Sequence, residues 1–179
     1  LQEALYSEIM QQRIIIGTCM RSQVSSFALQ ELLAESKFIT SITASAIADI
    51  IAEDMWNISL SPYGTFVIPK LINLYPENVS NIPKPVSNKT MFHVAGDRFG
   101  CRIMSRMIET ISFDTQRVIA LQTRLSHLIS IEYGVFVAQV LIGDSPHLDL
   151  YVLLLLAKRE IGFSTFSEHL FTDIIRRQV

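Results

Sequence analysis

Three segments of the chain repeat one pattern: SPYGTFVIPKLI at 61–72, DRFGCRIMSRMI at 97–108 and IEYGVFVAQVLI at 131–142. Each runs aromatic, glycine, a variable residue, Phe or Arg, and then spaced apolar residues ending in Ile. The glycines Gly64, Gly100 and Gly134 stand 36 and 34 positions apart. Two weaker copies flank them: SSFALQELL, with Ser26 in the slot after the glycine, and FSTFSEHLF, with Ser164 there. The slots at 26, 65, 101, 135 and 164 give steps of 39, 36, 34 and 29. A period in this range marks stacked repeats, each burying its apolar face only against its neighbours.

The residues between the copies follow helical spacing. Ala44, Ile47, Ala48, Ile51 and Met55 form one stripe, and Ile103, Met104, Met107, Ile108 and Ile111 another. Leu121, Leu125, Leu128 and Ile129 form a third, all at the three- and four-residue steps of an amphipathic helix. Asn-Gly and Asp-Gly hairpin turns are absent, so the fold class expected is all-α. Tyr75 to Lys89 (YPENVSNIPKPVSNK) holds three of the six prolines. Prolines at 76, 83 and 85 do not fit inside one regular helix, and the segment is expected to be a long loop with at most one helical turn.

The repeats resemble those of the Pumilio, or PUF, family. DRFGCRIMSRMIE, IEYGVFVAQVLI and FSTFSEHLF are similar to successive repeats of that family's C-terminal half, in order. GDSPHLDLYVLLLLAKREIG is similar to the family's connection between the last two of them. The resemblance covers about 15–179. It implies a right-handed α-solenoid of about five divergent three-helix repeats, with the motif opening each second helix. The expected repeats are 15–53, 54–89, 90–123, 124–152 and 153–179, after a terminal helix of a preceding repeat at 1–14. An apolar face at Leu1–Met10 would then be exposed, which predicts a longer natural chain or a partner covering that end.

On a helix, positions n and n+4 share a face and n+1 lies beside them. The resemblance implies that n and n+4 contact a base edge while n+1 stacks between bases, one base per repeat. The candidate RNA-binding residues are therefore Ser26, Phe27 and Gln30; Thr65 and Phe66; Cys101, Arg102 and Ser105; Phe136 and Gln139; and Ser164, Thr165 and Glu168. The triplets are uneven. Pro69 fills the second edge slot beside Thr65 and carries no donor. Ser105 stands where the family's pattern has Gln, and is too short for two bonds to a base. Val135 has no polar atom for the edge beside Gln139. Ser164 with Glu168 resembles the family's guanine-reading pair, since a carboxylate accepts from two N–H donors.

Each feature has a plainer reading. Phe27, Phe66 and Phe136 could equally be core residues, and Arg102 could serve in a surface salt bridge. The three glycines are most simply helix-start residues at a sharp bend. Glu168 beside His169 reads as a solvated helix face, with no second carboxylate or nucleophile at useful spacing.

The chain carries 15 basic and 17 acidic residues, a formal net charge of -2, against the basic balance usual in RNA binders. Arg98, Arg102 and Arg106 nevertheless step by four and would form a local basic stripe. Cys19 and Cys101 lie 82 positions apart, which fits a reducing compartment. The first ten residues lack the basic region of a signal peptide. The apolar run Leu148–Ala157 is far short of the ~20 residues that span a bilayer, and the sequons at Asn57, Asn78 and Asn88 are taken as chance. The histidines show no metal-ligand spacing. Neither catalysis, nor a cofactor, nor a membrane partner is expected, and the compartment expected is the cytoplasm, with the nucleus or nucleolus as alternative. The function expected is single-stranded RNA binding with weak or altered base selectivity, in post-transcriptional regulation or RNA maturation. The alternative is an α-solenoid with a decayed code that binds a protein, through its convex face or the 75–89 loop.

Overall fold

The computed structural model describes residues 2–35, 40–79, 82, 87–110, 121–143, 146–158 and 167–177. These residues form twelve helices and no strand: α1 (Gln2–Gln11), α2 (Arg13–Met20), α3 (Gln23–Ala34), α4 (Ser41–Glu53), α5 (Met55–Ser59), α6 (Gly64–Leu74), α7 (Asn88–Ala95), α8 (Gly100–Thr110), α9 (Leu125–Ile129), α10 (Gly134–Ile142), α11 (Pro146–Ala157) and α12 (Glu168–Arg177). The chain is an α-solenoid. Helices α3, α6, α8 and α10 pack side by side in chain order, and α5, α7 and α9 back α6, α8 and α10 as a second layer. Between the layers lie Ile58, Val67, Ile68, Leu71, Val94, Ile103, Met104, Leu128, Val137 and Ala138, all fully buried.

The repeated glycines fix how the layers meet. Each is the first residue of its helix and lies six positions after a residue of the backing helix: Ile58 before Gly64, Val94 before Gly100, Leu128 before Gly134. A Cβ at any of the three would sit 2.9–3.2 Å from that residue's carbonyl carbon and closer still to its oxygen. Close backbone approach, rather than a left-handed bend, is the requirement. Among the described glycines, Gly143 alone has a positive φ.

The described part of the 75–89 segment is more firmly held than its composition predicts, and its last two residues are helical. Asn88 and Lys89 already belong to α7, because Ser87 caps it: its Oγ accepts from Thr90 N at 3.1 Å. Val79 and Ile82 are fully buried, and Asn78 Nδ2 donates to Ser41 O, Ser41 Oγ and Ser45 Oγ at 2.7–3.1 Å. Pro83 and Pro85 lie outside the described residues. The described part of the loop is thus docked on α4. Ser87→Ala is expected to lower stability by about 1 kcal/mol, read by urea unfolding.

On the outer side of the backing layer, rings and cations run in series. Trp56 meets His93 edge-on at 5.7 Å, Phe92 lies 5.2 Å from His127, and Arg124 sits over Phe92 at 5.1 Å. At the N-terminal end, α1 packs on α4, with Tyr6 Oη donating to Asp49 Oδ2 at 2.7 Å. That bond, followed by burial, raises the Tyr6 pKa. No residue of α1 is buried and Leu5 is exposed. The larger apolar exposure falls just beyond 1–10, at Ile14 and Ile15.

Candidate nucleic-acid interface

Before each glycine helix the chain makes a tight turn that orients the next residues. Asp97 Oδ1 accepts from Phe99 N at 2.8 Å and Gly100 N at 2.9 Å, and Ser61 Oγ accepts from Tyr63 N at 3.3 Å. These bonds satisfy donors that a helix start leaves open. With the glycine pinned against the backing helix, the residue after it turns inward. Ser26, Thr65, Cys101 and Val135 are all buried. The three polar ones donate to the carbonyl three residues earlier: Ser26 Oγ to Gln23 O at 3.0 Å, Thr65 Oγ1 to Pro62 O at 2.6 Å, Cys101 Sγ to Arg98 O at 3.6 Å. Their protons are therefore committed to backbone, which leaves lone pairs alone for any ligand.

The next residue points out. Phe27 is 65% exposed, Phe66 55% and Phe136 52%, and Arg102 is exposed with no carboxylate partner among the described residues. The phenylalanines are not core, and Arg102 is not a salt-bridge residue among those described. Four neighbouring helices, α3, α6, α8 and α10, thus present one flat side chain each from the same register position. At n+4, Gln30 Nε2 donates to Ser26 O at 3.2 Å. Pro69 stands inside α6, and it, Ser105 and Gln139 are half-buried. Glu168 is exposed at the start of α12, whereas Ser164 and Thr165 lie outside the described residues.

Clefts open between the helices of this row. One, of about 530 Å³, lies between α3 and α6 and is lined by Gln23, Val24, Phe27, Gln30, Tyr63 and Phe66. Another, of about 670 Å³ between α8 and α10, is lined by Arg98, Arg102, Arg106, Ser105, Tyr133 and Phe136, among others. The expected arginine stripe is therefore present, and all three members face one cleft. Arg106 Nε donates to Asn73 Oδ1 at 2.8 Å and its guanidinium lies 3.4 Å from Glu109. Arg98 lies over Phe99 at 5.2 Å. Tyr63 and Tyr133 were not among the candidates, although the aromatic residue before every glycine was the signal that could have found them.

Burial pushes the Cys101 thiol pKa up, and its Sγ faces Arg98 O. Cys19 is half-buried. A maleimide at neutral pH is expected to label Cys19 at least tenfold faster than Cys101, read by mass spectrometry of the native chain, since the thiolate is the reactive form.

No family model and no curated protein sequence matches the chain. Solved structures do. PUF-8 in complex with PBE-RNA superposes with a TM-score of 0.73 at 16% identity, over 99% of this chain and 52% of that one. A Puf4 mutant bound to the Cox17 RNA 3′ UTR recognition sequence gives 0.66 at 16% identity, over 88% and 49%. The RNA-binding domain of yeast Puf5p bound to SMX2 RNA gives 0.51 at 16% identity, over 88% and 54%. The chain has the PUF fold, and it spans about half the length of the PUF structures it matches.

Proposed function

We infer that the chain is a single-stranded RNA-binding module of PUF type, with weak or altered base selectivity, acting in post-transcriptional regulation or RNA maturation. The observation that carries this reading is the row Phe27, Phe66, Arg102 and Phe136, exposed at one register position of four packed helices. Flat groups at that spacing offer faces to successive bases, and stacking is indifferent to which base is present. The PUF domains it resembles are described as bound to RNA.

Weak selectivity follows from the edge positions. At α6 the Thr65 hydroxyl proton is engaged by Pro62 O and Pro69 offers no donor. At α10 Val135 has no polar atom, so Gln139 alone faces a base edge there. A base held by Phe66 is gripped without being identified, whereas Ser26 with Gln30 and Glu168 keep polar groups. A cytoplasmic site of action, or a nuclear or nucleolar one, is part of this proposal. Catalysis has no place in it.

The double substitution Phe66→Ala and Arg102→Ala is expected to weaken binding of a fluorescent single-stranded RNA by about 2 kcal/mol or more, at ~1–3 kcal/mol per stacked base. Helicity by circular dichroism should stay unchanged. Unaltered affinity would overturn the reading.

The second reading, a protein-binding solenoid, is favoured by the inward-turned edge residues. Because Val79 and Ile82 are buried, the docked part of the 75–89 loop is not its reaching arm, and the exposed Trp56, His93, His127 and Arg124 around buried Phe92 form the surface such a partner would meet.

A further inference from the structure

The charges around the ligand face are unevenly committed. Within residues 2–79 the described basic side chains are each matched to a carboxylate: Arg13 to Glu53 at 3.6 Å, Arg21 to Asp54 at 3.9 Å, Lys70 to Glu31 at 3.6 Å. The cleft between α3 and α6 has no charged residue in its lining. It consists of three rings, a valine and neutral polar groups. The cleft between α8 and α10 has the opposite character. Arg98 and Arg102 face it with no carboxylate within ion-pair distance among the described residues, and only Arg106 shares its charge with Glu109. Exposed ion pairs contribute little to stability, yet each cancels a charge that would otherwise attract phosphate.

We propose that the face grips single-stranded RNA in two physically different ways: in the α8–α10 cleft the charges of Arg98 and Arg102 hold phosphate electrostatically, in addition to the flat face Arg102 offers a base, while the α3–α6 cleft holds bases by stacking on Phe27 and Phe66 with no electrostatic share. This rests on the RNA-binding reading above and specifies how that same face divides the work. Backbone neutralisation appears as the slope of log affinity against log salt, about −0.7 per phosphate for single strands. Stacking weakens or strengthens binding equally at every salt concentration.

The experiment is a salt titration with fluorescein-labelled oligouridine, about ten nucleotides long, from 50 to 300 mM KCl. Four proteins are compared: the unaltered chain, Arg98→Ala/Arg102→Ala, Arg98→Lys/Arg102→Lys and Phe27→Ala/Phe66→Ala. The alanine pair at 98 and 102 should flatten the slope by about 1–1.5, two phosphates' worth. The lysine pair should restore the slope, because it keeps the charges. The phenylalanine pair should lower affinity at least about tenfold at every salt and leave the slope unchanged. An equal loss of slope in both alanine pairs, or an effect confined to the phenylalanine pair, would overturn the division while leaving RNA binding intact. Absence of binding by the unaltered chain at 50 mM would instead remove the RNA-binding reading itself, and this inference with it. Unchanged circular dichroism across the four proteins excludes unfolding as the cause.

Discussion

Gly64→Ala is expected to destabilise the chain by about 3 kcal/mol or more, the upper range for forcing atoms into packed structure. The added methyl would meet the backbone carbonyl of Ile58, and a carbonyl inside the core has no rotamer by which to give way. Either α6 lifts from α5, exposing Ile68 and Leu71, or α5 unwinds. Gly100→Ala and Gly134→Ala face the same collision with Val94 and Leu128. Gly17→Ala is the control: its nearest atom is 4.0 Å away, and alanine there should cost nothing or stabilise α2 through helix propensity. Urea unfolding reads the difference. A loss below 1 kcal/mol at all three positions would contradict the close approach as the origin of the repeat.

A comparable effect is expected at the C-terminal end. Asp149 is almost wholly buried in α11, and Arg177 of α12 reaches it at 3.2 Å. The contact is an ion pair without a well-angled hydrogen bond to Oδ1. The same guanidinium donates to Gly143 O, at the end of α10 where φ is +50°. Arg177→Met leaves a buried carboxylate without its cation and should cost about 3 kcal/mol. Asp149→Leu combined with Arg177→Met should recover most of that loss, because a buried pair exchanged for apolar groups is often neutral. Thermal unfolding of the single and double variants decides it. A double variant as unstable as the single one would show that Arg177 acts elsewhere.

The repeat was legible because glycine at a backbone collision cannot be replaced, so Gly64, Gly100 and Gly134 stand in register where everything else drifted. The helical stripes were legible for a related reason: apolar spacing is local. What the sequence hid was contact between distant residues. Nothing in YPENVSNIPKPVSNK announces that Val79 and Ile82 will be buried in the core, because a loop with turn composition carries no periodicity. The inward turn of Ser26, Thr65 and Cys101 was equally hidden. Their side chains have the right chemistry for a base edge, and only the geometry of the tight turn gives their protons to a carbonyl three residues back. The pairing of Arg13, Arg21 and Lys70 with Glu53, Asp54 and Glu31 joins residues 33 to 40 positions apart. A net charge of -2 averages over that pairing and conceals Arg98 and Arg102 of one cleft, which have no carboxylate partner among the described residues.

The most direct test of the account is selection of the purified chain against a random pool of single-stranded RNA, at 50 mM and at near-physiological salt. The account predicts retained RNA whose enriched motif is partial. Base preference should appear where a long polar side chain stands at n+4, as Gln30 and Glu168 do, and vanish at the rung of Phe66, where the neighbouring edge groups are a committed hydroxyl and a proline. Retention of no RNA at 50 mM salt would contradict the central claim and transfer the face to a protein ligand. A full-length motif read equally at every rung would contradict the weak selectivity.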